Sequence, residues 1–254
     1  MRIAVTVVSI YTPRQRRNRY YLHLVRRTHL ALCNTHGFTF VHQTVSTHPE
    51  RAPAWQKINL LLEQLRAGHD VVVILDSDAM VVDSVKENLV TEAIRTMGDA
   101  DILICTEDWE NDAVLEQVIG ITERCEERSS TAVNSGFVVV RNTSWSNAFF
   151  RRVWEATGCE KELHDWPWEQ KSVIARLREL DRDELRAHVC IVGGKRFNNP
   201  VYPPVPGQMV MHMMGMGVRN RNARALALWE APHSCNKPPP TIDTSATGPV
   251  NSLY

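Results

Sequence analysis

The sequence predicts a single α/β domain with a mostly parallel central sheet flanked by helices. Two observations support this prediction. Strand-like runs of β-branched residues alternate with segments of helical periodicity, and 254 residues are enough to bury one large core. We place the domain at residues 1–231 and expect residues 232–254, which are rich in Pro, Ser and Thr, to form a tail outside the core.

The first eighty residues show this alternation most clearly. They predict three strands and two intervening helices, namely strands at 3–10, 38–43 and 71–75 and helices at 20–36 and 55–67. Gly37 and Gly68 follow the two helical segments and are natural helix stops. No GxGxxG follows the first strand, so a dinucleotide-binding fingerprint is missing.

The remainder of the domain continues in the same style. Apolar runs and helical periodicity predict strands at 101–106, 133–141 and 189–192 and helices at 85–97, 145–156 and 171–180. Since alternating strands and helices are typical of a parallel sheet, we expect one continuous sheet rather than two small domains.

The composition argues against several classes of function. The chain has 29 Lys and Arg residues and 29 Asp and Glu residues, so its formal net charge is zero. No excess of positive charge indicates that nucleic acid is a partner. Six scattered cysteines include no CxxC pair and no Cys/His cluster of the zinc type, which suits a reducing compartment. The amino terminus has one charge before its apolar run and no small-residue cleavage site. We therefore expect no transmembrane segment and a cytoplasmic location.

Two carboxylates follow the third predicted strand in the sequence VVVILDSDAMVVD. Asp76 and Asp78 are one residue apart, where a strand gives way to a turn at the carboxyl edge of the sheet. Two hard oxygen ligands on a short segment suit a Mg²⁺- or Mn²⁺-type ion. An isolated DxD triplet is nevertheless more often a solvated acidic turn, so the neighbouring motifs must decide between the two interpretations.

Three other segments place polar groups where a ligand could use them. Lys57 lies on the helix that precedes the DSD strand and is either a surface lysine or a phosphate contact. The predicted strand at 133–141 opens with Asn134, Ser135 and Gly136, where the glycine indicates a bulge or a close approach of another group. His212 lies in the apolar run VMHMMGMG and is either a core histidine or a metal ligand.

The segment HDWPWEQ, residues 164–170, precedes a predicted helix and contains a histidine, two carboxylates, two tryptophans and an amide. Tryptophan faces bind sugar rings and apolar ligand faces, and Asp165 and Glu169 are candidate acid/base or hydroxyl-binding groups. The same residues also fit a helix start, with Asp165 as the cap and Pro167 in the first turn. The two interpretations are compatible.

In this order the motifs resemble the galactosyl- and xylosyltransferase family of retaining, DxD-containing glycosyltransferases with the GT-A fold. The matching elements are Thr12-Pro13, His36-Gly37, Trp55 and Lys57, LDSDA, NSGFVVVRNTSWS, WPWEQ and HMMG. They span roughly residues 3 to 224, and their order is more specific than any one of them.

The resemblance implies a set of roles. It implies metal ligands at Asp76, Asp78 and His212, contacts to the nucleotide sugar at Thr6, Ser9, Lys57, Asp76, Ser77, Asn134, Ser135, Gly136 and Gly215, and catalytic groups at Asp165, Glu169 and Gln170. Asp78 and His212 are expected as direct ligands, with Asp76 turned towards the ribose or a metal-bound water.

The implied activity is transfer of a sugar from a nucleoside diphosphate to a hydroxyl of a glycan or glycoconjugate. The implied cofactor is Mn²⁺ or Mg²⁺. The sequence has EQ where many family members have DQ, and HMMGMG in place of HxxGC, so donor choice stays open. Two alternatives remain, an aspartate-nucleophile phosphatase and a non-catalytic sugar-binding module on the same fold.

Overall fold

The computed structural model describes residues 1–11, 19–82, 88–106, 133–155 and 168–230. The strands of these residues are β1 Ile3–Val8, β2 Thr39–Gln43, β3 Val71–Asp76, β4 Ala79–Val81, β5 Ile102–Cys105, β6 Asn134–Arg141, β7 Val189–Val192 and β8 Val210–His212. The helices are α1 Tyr21–His36, α2 Gln56–Arg66, α3 Leu89–Met97, α4 Ser144–Glu155, α5 Glu169–Arg178, α6 Arg182–His188, α7 Gly194–Phe197 and α8 Val218–Glu230, with a 3₁₀ turn at Pro53–Trp55 before α2.

Six of these strands form the central sheet, in the order β2-β1-β3-β6-β5-β7. Strand β6 is antiparallel to both of its neighbours, whereas the other pairings are parallel. The predicted mostly parallel sheet flanked by helices is therefore confirmed. The reversal of β6 carries its first residues to the edge where β1 and β3 end, because antiparallel strands begin where their neighbours finish.

Strand β3 shows why its sequence lacks the alternation of a half-exposed strand. Val72 and Ile74 lie in one core cluster with residues of α2, α4 and α5. Val73 and Leu75 lie in a second cluster on the opposite face, with residues of α3. Because the strand is buried on both faces, every position is apolar until Asp76.

A second, two-stranded sheet was not predicted. After Asp76 the chain turns and forms β4, which pairs antiparallel with β8 so that Ala79 lies opposite His212. The backbone N–H of Met213 donates to the carbonyl of Asp78 at 3.0 Å. This small sheet joins segments that are about 130 residues apart in the chain.

The helix boundaries follow the predicted stops closely. Gly37 ends α1 in the left-handed conformation with φ 71°, and its N–H bonds the carbonyl of Cys33. Helices α6, α7 and α8 were not predicted. No helix within the described ranges combines the length and apolar character needed to cross a membrane. The predicted tail lies outside those ranges.

Candidate active site and metal centre

A cavity of about 670 Å³ opens at the edge of the sheet where β1 and β3 end and β6 begins. Seven segments line it: Val8, Ile10 and Tyr11; Pro53, Ala54 and Lys57; Asp76, Ser77 and Asp78; Asn134 and Ser135; Trp168, Glu169 and Gln170; His212, Met214 and Gly215; and Arg221. We call this cavity the cleft. Two groups of its residues meet at Asp76. The lysine half consists of Lys57, Ser135, Glu169 and Gln170, and the metal half consists of Asp78, His212 and Arg221 with the adjacent Asn198.

The metal half brings three ligand atoms together. Atoms of Asp76, Asp78 and His212 all lie within 4.8 Å of one another. His212 Nε2 is 3.2 Å from Asp78 Oδ1 and 3.6 Å from Asp76 Oδ2. The pairing of β4 with β8 produces this arrangement, because it fixes His212 beside the turn that carries both aspartates.

The imidazole of His212 is oriented by a neighbour that the sequence did not indicate. Its Nδ1 lies 2.7 Å from Oδ1 of Asn198, and both side chains are buried. An amide oxygen only accepts hydrogen bonds, so Nδ1 donates and Nε2 is left facing the two carboxylates. A nitrogen lone pair at this distance from carboxylate oxygens needs a proton or a cation between them. The donor set of two carboxylates and one imidazole therefore fits a divalent metal ion.

Gly136 makes room for that imidazole. A Cβ atom at this position would lie 2.1 Å from Cε1 and 2.6 Å from Nδ1 of His212. Real Cβ atoms do not approach other atoms so closely, so any side chain here would displace the ring. The close approach predicted for this glycine is thus made by the histidine.

Arg221, on α8, holds the outer oxygen of Asp78. Its Nη1 lies 2.8 Å from Asp78 Oδ2 and donates to the hydroxyl of Tyr21 at 3.2 Å. Burial opposes ionisation of Asp78, but its interaction with His212 and the positive charge of Arg221 outweigh it and lower the pKa of the carboxyl. Asp78 is therefore ionised. Its Oδ1 faces Asp76 and His212, and its Oδ2 is bound by Arg221.

The lysine half is a network of hydrogen bonds and charges around one buried ammonium group. The buried Lys57 Nζ lies 2.8 Å from Asp76 Oδ1 and 2.5 Å from Glu169 Oε1. Burial lowers the pKa of Lys57, but the two carboxylates outweigh it and raise that pKa above its usual range. The ammonium group stays charged and shares Asp76 with the metal half.

Two further groups complete the network. Ser135 Oγ donates to Glu169 Oε1 at 2.9 Å, and its backbone N–H donates to Gln170 Oε1 at 3.0 Å. Glu169 is only 2% exposed. Since one of its oxygens is engaged by both Lys57 and Ser135, Glu169 is held in place as an anchor for the lysine.

The chain matches the galactosyl transferase GMA12/MNN10 family over residues 2–221. It belongs to this family. The resemblance drawn from the sequence motifs is thereby confirmed. None of the curated proteins compared with the chain matches it in sequence.

The family assignment is accompanied by structural likeness. A glycosyltransferase involved in the glycosylation of the major capsid of PBCV-1 gives a TM-score of 0.63 at 15% identity, covering 89% of this chain and 99% of that chain. This likeness shows a GT-A fold. A mutant of Drosophila β-1,4-galactosyltransferase 7, crystallised with manganese, UDP-Gal and xylobiose, gives a TM-score of 0.41 at 11% identity and covers 89% of this chain and 75% of that chain.

Most of the residues implied by the family resemblance lie together. The cleft is lined by the predicted site residues Lys57, Asp76, Ser77, Asp78, Asn134, Ser135, Glu169, Gln170, His212 and Gly215. Ser77 Oγ lies 3.0 Å from the hydroxyl of Tyr11, and the Asn134 amide donates to Met214 Sδ at 3.6 Å. Asp165 and Thr12-Pro13 lie outside the described residues.

Thr6 and Ser9 lie apart from the cleft. Thr6 is buried within β1, and its hydroxyl donates to the carbonyl of Val73 at 3.1 Å. Ser9 lines a neighbouring cavity of about 240 Å³, with its Oγ 2.5 Å from His42 Nε2. Their predicted contact with the nucleotide stays a prediction.

The sequence did not single out three residues of the site: Tyr11, Asn198 and Arg221. Nothing in the sequence shows that α8 brings Arg221 to Asp78. Asn198 has no sequence signal at all. Its contact with His212 depends on how α7 and β8 approach each other.

Proposed function

We propose that this chain is a metal-dependent glycosyltransferase that moves a hexose or pentose from a nucleoside diphosphate to a hydroxyl of a glycan or glycoconjugate. One observation carries the proposal: the ligand atoms of Asp76, Asp78 and His212 converge on the wall of a large cleft. The chain also belongs to a family of galactosyl transferases, which makes galactose the first donor sugar to test.

The donor set indicates which ion the metal half would hold. Carboxylates suit Mg²⁺ and Mn²⁺ alike, whereas an imidazole nitrogen favours a transition metal. Mn²⁺ is therefore the first ion to test. When bound, such an ion neutralises charge on a diphosphate leaving group.

The chain's own residues prepare this site by fixing charges before a ligand arrives. Arg221 keeps Asp78 ionised, and Lys57 sits beside Asp76 with its positive charge maintained by Glu169. Preorganised charges of this kind favour a transition state in which negative charge grows on the leaving group. The surrounding cleft holds donor and acceptor together and supplies proximity.

Retention of the anomeric configuration is part of this proposal. A double displacement needs a free carboxylate as nucleophile. Among the described residues, Glu169 is poorly suited to this role, because its Oε1 is engaged by Lys57 and Ser135 and the side chain is almost fully buried. This arrangement favours attack of the acceptor hydroxyl on the same face as the departing diphosphate. The leaving phosphate oxygen would accept the proton of that hydroxyl.

The family match bears differently on the two alternative functions, the phosphatase and the sugar-binding module. The family match over residues 2–221 gives the aspartate-nucleophile phosphatase no support. A non-catalytic sugar-binding module on the same fold remains an outcome of the experiment.

A screen of nucleotide sugars tests the proposal. The protein is incubated with Mn²⁺ and each of UDP-galactose, UDP-glucose, UDP-xylose and GDP-mannose, and release of the nucleotide is measured with and without a chelator. We expect chelator-sensitive release from at least one donor. Binding of a nucleotide sugar without any turnover, with or without added oligosaccharides, would favour the non-catalytic module.

Asp78→Asn tests the metal role directly. The substitution keeps the shape of the side chain and removes its charge. Loss of groups that only orient metal ligands costs about 10–100-fold in affinity, so loss of a direct ligand should weaken Mn²⁺ binding by at least about 100-fold. Mn²⁺ binding is measured by electron paramagnetic resonance, and turnover is measured with the donor from the screen.

Asp99→Asn is the matched control, because Asp99 is exposed and lies outside the cleft. It should leave both measurements unchanged. Thermal denaturation verifies that Asp78→Asn is folded. Turnover and Mn²⁺ affinity close to wild type in a folded Asp78→Asn protein would refute the assignment.

A further inference from the structure

Trp168, directly before α5, has an unusual backbone conformation. It is the one non-glycine residue with a positive φ in the described part of the chain, with φ 54° and ψ −121°. Residues with a Cβ atom rarely adopt this region, whereas glycine enters it freely. Such strain persists only where the surroundings enforce it, and it concentrates at binding and catalytic sites.

The side chain of Trp168 lies between the protein core and the cleft. It lines the cleft beside Glu169 and Gln170, and it is partly exposed. The indole also packs against the core cluster that contains Val173 and Leu177. The ring is therefore held from one side while part of its surface faces the space where a ligand would bind.

The start of α5 does not itself require a tryptophan. Trp168 occupies the N-cap position, but its side chain makes no capping hydrogen bond. A glycine would fill the same position without strain. The strained conformation is explained instead if the indole has a role inside the cleft.

We propose that Trp168 is a saccharide-binding residue whose indole forms a rigid wall for a pyranose ring in the cleft. A large, nearly immobile aromatic face buries the apolar side of a sugar ring at small entropic cost. This inference rests on the proposed function, because it assumes that the cleft holds sugars. The sugar can belong to the donor or to the acceptor, and the two arms of the experiment distinguish them.

The strain is tested without any ligand. Trp168→Gly and Trp168→Ala both remove the indole, but only the glycine relaxes the backbone. We expect the melting temperature of the Gly variant to exceed that of the Ala variant by roughly 2–4 °C. Equal melting temperatures would show that the backbone is not strained and would remove the basis of the proposal.

Sugar binding is tested in two arms, each with Mn²⁺. In the donor arm, calorimetry compares UDP-galactose with UDP for the wild type, Trp168→Ala and Trp168→Phe. In the acceptor arm, xylobiose and lactose are titrated into protein saturated with UDP. We expect Trp168→Ala to weaken sugar binding about tenfold in one arm, with UDP affinity unchanged and Trp168→Phe close to wild type.

Trp145→Phe is the control for a general effect of losing an indole. Trp145 stacks on Phe149 and His188 outside the cleft, so its variant should bind as the wild type does. If the wild type binds sugar and Trp168→Ala binds it equally well, the inference is wrong. A wild type that binds none of the four nucleotide sugars of the screen contradicts the proposed function itself, so the two failures are distinguishable.

Discussion

The two halves of the cleft wall differ in how their charges are balanced. In the lysine half, the positive charge of Lys57 lies within hydrogen-bonding distance of both Asp76 and Glu169. Ser135 and Gln170 use further hydrogen-bonding groups of the same network. This half already holds the cation that its two carboxylates need.

In the metal half, the positive charge of Arg221 lies on the side of Asp78 that faces away from the three ligand atoms. Arg221 engages the outer oxygen of Asp78, while Nε2 of His212 faces carboxylate oxygens of both Asp78 and Asp76. The space between these three ligand atoms needs a proton or a cation. The lysine half therefore positions charged groups and the metal half binds a cation, with Asp76 shared by both.

The largest expected effect is a loss of stability when the lysine half loses its cation. Lys57→Met leaves the carboxylates of Asp76 and Glu169 without their cation. Removal of one partner from a buried ion pair costs about 3–5 kcal/mol, so the free energy of unfolding should fall by that amount in guanidinium denaturation. Mn²⁺ affinity should not weaken, because the three metal ligands remain in place.

A double variant sharpens this prediction. Lys57→Met with Glu169→Leu removes both partners of the shortest ion pair in the network and should recover much of the lost stability. If the single variant loses Mn²⁺ affinity as severely as Asp78→Asn, the two halves are not separable and the comparison fails.

The next prediction concerns the metal half, where we expect a substitution to lower Mn²⁺ affinity as well as stability. Gly136→Ala places a Cβ atom where the ring of His212 lies, so the ring must move. Overpacking of a buried site costs about 1–3 kcal/mol, and because the displaced ring belongs to a metal ligand we expect Mn²⁺ affinity to fall by at least about 100-fold. Denaturation and electron paramagnetic resonance measure the two effects.

Gly217→Ala is the matched control for this substitution. A Cβ atom at Gly217 meets no other atom within 4 Å, and its φ lies outside the left-handed region. The control should keep both stability and Mn²⁺ affinity. A Gly136→Ala protein with normal affinity would mean that the ring of His212 is not a metal ligand in its present position.

The sheet was predictable because its determinants are local. The run at 71–75 is apolar at every position and so predicts a buried strand, and Gly37 ends α1 as its sequence position indicates. The family resemblance added the order of the motifs. The resemblance also predicted that His212 lies beside the two aspartates. Spacing alone does not indicate this, since the residues are more than 130 positions apart.

The features that were not predicted depend on contacts between distant segments. The direction of β6 cannot be read from the apolar pattern of 133–141, although it decides that Asn134 and Ser135 face the cleft. The pairing of β4 with β8 involves only three residues in each strand, too few to leave a periodic signal. Arg221 reaches Asp78 only because α8 packs against α1.

The smallest expected effect concerns the neighbour that orients the metal half. Asn198→Leu removes the oxygen that accepts the hydrogen bond of His212 Nδ1, whereas Asn198→Asp keeps an acceptor in the same place. Loss of such an orienting group typically costs about 10–100-fold in metal affinity. We expect this loss for the Leu variant and nearly normal Mn²⁺ binding for the Asp variant.

Asn199→Ala separates orientation of the histidine from local stability. The Asn199 side chain donates to the carbonyl of Lys195 and accepts from the N–H of Val201, so its loss destabilises the same loop without touching the imidazole. This control should lower the melting temperature and leave Mn²⁺ affinity unchanged. Equal Mn²⁺ affinity in the Leu and Asp variants of Asn198 would show that the hydrogen bond to Nδ1 does not orient the ring. The orientation of His212 would then have to come from β8 and Gly136 alone.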